Sequence, residues 1–115
     1  MLKPGPAKKV TIHLNDDISA GRDFLHTEIF AFLYQNGVAG ATLSRPESGF
    51  GSHHQLHSSE AGDSRHEHLP VRIEFVESIE KFDAILPLLC ARLTDGLIEV
   101  QDTVIIKSVN REQPR

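Results

Sequence analysis

In "KKVTIHLN" the apolar Val10, Ile12 and Leu14 fall on one side and Thr11 and His13 on the other, the period of a half-buried strand. "DDISAG" breaks that pattern. From Asp23 the spacing becomes helical, with Leu25, Ile29, Phe32 and Leu33 on one face, and Gly37 in "QNG" supplies a left-handed terminator. "VAGATLSR" is short, β-compatible and closed by Pro46. In "LPVRIEFVE" Val71, Ile73 and Phe75 point one way while Arg72 and Glu74 point the other, the clearest strand pattern in the chain. Ser78 then suits a helix N-cap. Ile79, Phe82, Leu86, Leu89 and Leu93 form the stripe of a second helix that ends before Gly96. Pro87 inside it removes a backbone donor, and because the stripe stays in phase a bend is expected there, not a break. "GLIEV" and "TVIIK" read as one strand or as two pieces around Gln101 and Asp102, and the tail 108–115 is polar and expected to fray.

The predicted order is β-α-β-β-α-β, an α+β fold of ferredoxin-like type with an antiparallel sheet and two helices on one face. The 115 residues make a single domain with a small core. Between the second and third predicted strands lies "PESGFGSHHQLHSSEAGDSRHEHLP", which holds five of the seven histidines. Antiparallel neighbours usually need two to five connecting residues, so a connection of this length is functional or disordered.

Charge and cysteine usage narrow the options. A net charge of -4 argues against a general nucleic-acid binder. The single cysteine, Cys90, excludes an internal disulfide, is expected in the core, and fits a cytoplasmic protein. The start "MLKPGPAKK" has no apolar segment of signal-peptide type, and no stretch approaches membrane-spanning length. His53, His54 and His57 form "HHxxH", and His66 and His68 form "HxH". Three readings stay open for them: solvated side chains that charge near pH 6 to 7, a zinc, copper or nickel site, and contacts to a phosphate or a partner.

The run "GVAGATLSRPESGFGS", followed by "LPVRIEFVES" and "GLIEV", resembles the PII-like proteins grouped as domain-of-unknown-function family one-ninety (DUF190) and, beyond them, the PII nitrogen-signalling proteins. The resemblance runs from Val10 to about Lys107. It implies a ferredoxin-like homotrimer with a T-loop, about 46–68 here, between strands two and three. It also implies a nucleotide in each inter-subunit cleft, and a partner, a membrane transporter or a metabolic enzyme, that reads the loop's conformation. Carried over, Gly49, Phe50, Gly51 and Ser52 stand at the root of the loop, where glycine allows close backbone approach. Gly40 and Thr42 resemble the start of the second strand that faces the base. Glu74 and Val76 match third-strand positions at the adenine end, Asp95-Gly96 the loop over the phosphates, and Lys107, with Arg111 nearby, the phosphate-facing basic residues.

Departures accompany the match. "CARLTDG" has only Gly96 where PII proteins have a glycine-rich turn, so a mono- or diphosphate, AMP or ADP, fits better than a triphosphate. Ser52, His53 and His54 stand where PII proteins carry an arginine, a glutamine and a lysine after the glycines. The lone tyrosine, Tyr34, lies in the first helix, so control by uridylylation has no acceptor in the loop. The expected function is therefore a non-enzymatic regulatory protein with no required cofactor. The competing reading is a divalent-metal-binding or metal-tolerance protein of CutA type using His53, His54 and His57. No catalytic set of nucleophile and base is visible, and the basic and aromatic strand motif of RNA-binding relatives of this fold is missing.

Overall fold

The computed structural model describes residues 2–45 and 69–111, together with the backbone of Ser48–Gly49 and His57–Ser58. Its main sheet is built from β1 (Gly5–Asn15), β2 (Thr42–Ser44), β3 (Pro70–Ser78) and β4 (Leu97–Ile105), in the order β2-β3-β1-β4 with every pair antiparallel. The helices are α1 (Leu25–Gln35), between β1 and β2, and α2 (Ile79–Arg92), between β3 and β4. This is the predicted β-α-β-β-α-β order, and the last segment is one strand, ending at Ile105.

Alternation along the two central strands sets the layers. Val10, Ile12 and Leu14 of β1 and Val71, Ile73 and Phe75 of β3 are buried on the face that carries the helices. Leu25, Ile29, Phe32 and Leu33 of α1 and Phe82, Ile85 and Leu89 of α2 close the same core. Each such side chain contributes about 1.5–3 kcal/mol on leaving water, so this layer dominates the stability of the fold.

The helix ends follow the local chemistry. The Ser78 hydroxyl accepts from the Lys81 N–H at 3.2 Å and caps α2, which follows β3 with no intervening residue. Past α1, Gly37 has φ +75°, and Lys81 Nζ donates to the Asn36 carbonyl at 3.0 Å, tying α2 to the end of α1.

Several expectations are corrected. Cys90 is exposed, because the buried positions of α2 are 82, 85 and 89, and residue 90 is turned about 100° from Leu89. The same spacing makes Ile85 central, leaves Leu86 and Leu93 on the flanks of the core, and leaves Ile79 39% exposed. Pro87, as expected, does not break α2. The second strand is shorter than "VAGATLSR", three residues only, so Gly40 precedes it.

Candidate functional site

Thr42 on β2 pairs directly with Glu74 on β3, which on its other side pairs with Thr11 of β1. Directly opposed residues of an antiparallel sheet point to the same side. These three therefore stand together on the face away from the helices, and Val76, opposite Lys9, continues the same row. Glu74 accepts from Arg72 Nε at 2.9 Å and lies 3.9 Å from Lys9 Nζ. Further along the face His13 Nε2 meets Glu99 Oε1 at 2.8 Å. The open face is thus largely a grid of hydroxyls, carboxylates and cations, with Val76 and, opposite His13, the exposed Leu97 as apolar steps. Such a surface can hydrogen-bond a ligand that presents both donors and acceptors while one ring packs on a branched side chain.

The other positions fall around this grid. Gly40, two residues before Thr42, is exposed, and a Cβ there would meet no atom of the described residues within 4 Å. Gly96 is at the opposite extreme, with φ +124°, and a Cβ there would lie 2.4 Å from the His13 carbonyl oxygen and 2.7 Å from Leu14 Cδ2. It stands just before β4, at the end of the sheet where β1 stops and the 45–69 stretch begins and returns. Lys107 is exposed beyond the far end of β4. The nine residues of β4 separate Gly96 from Lys107 by roughly 25–30 Å. The fold brings Thr42, Glu74 and Val76 together within one chain and keeps Gly96 and Lys107 apart. Within the connecting stretch, Gly49 pairs with His57 in a short antiparallel ladder with Ser48 and Ser58. Phe50, Gly51, Ser52, His53, His54, His66 and His68 lie outside the described residues.

Periodicity gave no sign of the residue that holds the feet of this stretch. Asp16, just past β1, accepts from Arg45 Nη1 at 2.9 Å through Oδ2, and its own N–H donates to the Leu69 carbonyl at 2.9 Å. One residue thus anchors both the departing and the returning chain. Beside it His26, at the start of α1, is 7% exposed, stacks on Phe24 with centroids 5.8 Å apart, and has a buried Nδ1 with no hydrogen-bond partner among the described residues. Burial, reinforced by the Arg45 charge, lowers its pKa below the usual 6.5, against the raising effect of Asp16 and Asp23. Among the described residues no three ligating side chains form a group that could hold a metal ion. No described helix is long and apolar enough to cross a membrane.

A family model matches residues 7–105, that of DUF190, described as "Uncharacterized ACR". Among solved structures, a PII-like signaling protein from Thermus thermophilus superposes with a TM-score of 0.64 at 18% identity, covering 91% of this chain and 94% of its own. CPII, a nitrogen regulatory PII-like protein from Thiomonas intermedia bound to ADP, AMP and bicarbonate, gives 0.60 at 21% identity, covering 93% and 100%. CPII bound to ADP and bicarbonate gives 0.57 at 22%, covering 93% and 95%.

Proposed function

We propose, since the chain belongs to the DUF190 family and has the fold of PII-like signalling proteins, that it is a regulatory protein binding AMP or ADP in clefts between the subunits of a homotrimer. The observation that carries the reading is the shared row of Thr42, Glu74 and Val76 on the sheet face that no helix covers. Thr42 and Glu74 supply a hydroxyl and an acceptor for a base or ribose edge, and Val76 an apolar contact for the ring. The separation of Gly96 from Lys107 supports a cleft shared between subunits. One nucleotide is too short to touch both ends of β4, but Gly96 of one copy and Lys107 of its neighbour can flank the same phosphates. The ADP and AMP bound to CPII point to the ligand class.

In this reading the 45–69 stretch is the T-loop, held at both feet by Asp16 and presented to a transporter or a metabolic enzyme. Nucleotide contacts present in only one loop state would shift its population toward that state. Asp16 then links the loop feet to the sheet end where Gly96 lies. No observation favours the metal-binding alternative: His53 and His54 lie outside the described residues, and of His57 only the backbone is described.

Isothermal titration with AMP and ADP, alongside sedimentation of the free protein, tests the proposal. The expected result is a trimer that binds one or both nucleotides, with Thr42→Val and Glu74→Gln each weakening binding about fivefold to thirtyfold, the range of one lost hydrogen bond. No binding of either nucleotide at millimolar concentration would overturn it.

A further inference from the structure

On the helix side of the sheet, away from the Thr42–Glu74 row, the outer face of α1 and the edge strand β2 border an open groove of about 420 Å³. Phe30, Ala31 and Leu43 give it apolar lining, and His26, Thr27, Arg45 and the 84% exposed Tyr34 add polar groups. The volume lies in the range of small-molecule sites, and a mostly apolar lining with a few polar groups is their usual make-up. β2 is an edge strand, so no further strand of the described sheet covers this side.

We propose that this groove is a second ligand site, distinct from the nucleotide row, for a small amphipathic monocarboxylate, its apolar body over Phe30 and Leu43 and its carboxylate on Arg45. Three observations select that chemistry. Arg45 carries five N–H donors and commits Nη1 to Asp16, which leaves donors for one more planar anion. Asp16 sits beside the same guanidinium, so each negative charge on a ligand adds repulsion from that carboxylate, and a monoanion meets half of what a dianion such as a phosphate meets. The buried Nδ1 of His26 has no partner among the described residues, and a turn of the ring would offer it to a ligand oxygen, removing the cost of an unmet polar atom. Because Arg45 is also the departing foot of the 45–69 stretch, an acid bound there would compete with Asp16 for the same cation.

The sequence supplies a selective reporter. Tyr34 is the only tyrosine and there is no tryptophan, so emission excited near 280 nm comes from the groove rim. Titration of the full chain with cyclohexanecarboxylate, which is transparent there, should change Tyr34 emission saturably. Its neutral amide should bind at least about tenfold more weakly, the worth of a charge-assisted hydrogen bond. Arg45→Gln should lose the acid by a similar factor. Asp16→Asn should bind it severalfold more tightly, since the competing carboxylate is gone. No saturable change, or equal responses to acid and amide or in Arg45→Gln, would overturn the proposal. These readouts are independent of AMP and ADP, so they succeed or fail apart from the nucleotide reading.

Discussion

At Gly96 the backbone stands at φ +124°, and an added methyl would lie 2.4 Å from a β1 carbonyl oxygen. Strain and overlap act together there, so Gly96→Ala should cost on the order of 3 kcal/mol, read as a lower urea midpoint with an unchanged slope. His26 makes the opposite kind of point, since its side chain tolerates burial only when neutral. A base whose folded pKa is depressed binds fewer protons folded than unfolded. Its stabilising effect is therefore complete above the unfolded value near 6.5 and is lost as the pH falls through the lower folded value. Arg45, Asp16 and Asp23 are the charged groups that act on it. Thermal midpoints of the wild type should fall faster below pH 6.5 than those of His26→Asn. Parallel curves for the two would show that His26 takes up its proton as readily in the folded chain as in the unfolded one.

Among the elements, α1 packs through a single stripe, and Ile29 in it is fully buried. Ile29→Ala should destabilise by about 2–5 kcal/mol in chemical denaturation, as cavity-forming changes do. In α2 the exposed Pro87 interrupts the hydrogen-bond ladder without ending the helix. Pro87→Ala restores one donor in a helix that already tolerates the ring, and should raise stability by about 1–2 kcal/mol. An unchanged or lower midpoint would mean that the proline's rigidity offsets the missing bond.

For the whole molecule, the sheet face that no described helix covers is largely polar and charged, with Arg72–Glu74 and His13–Glu99 pairs. If copies associate through it around a nucleotide, ligand and assembly are linked. ADP at about a hundred times its Kd should then stabilise the folded protein by about 2.7 kcal/mol. Differential scanning calorimetry at two protein concentrations checks this, since an oligomeric transition moves with concentration and a monomeric one does not. A midpoint unaffected by ADP would count against the nucleotide cleft.

The sequence by itself determined the element order and the layers, because period-two and period-3.6 patterns state which face of each segment must leave water, and Ser78 and Gly37 marked helix ends by their own chemistry. It also placed Thr42 and Glu74 on matching strands. Their pairing is a register, and the buried alternation of β3 allows only one side to turn outward. Tertiary structure alone decided that Ile85 is central where Leu86 was expected and that Cys90 faces out, because the phase of a stripe depends on how the helix lies on the sheet. It alone revealed the Asp16–Arg45–Leu69 anchor. Charges 29 residues apart leave no local trace, and only the folded ends of β1 and β2 bring them within hydrogen-bond reach.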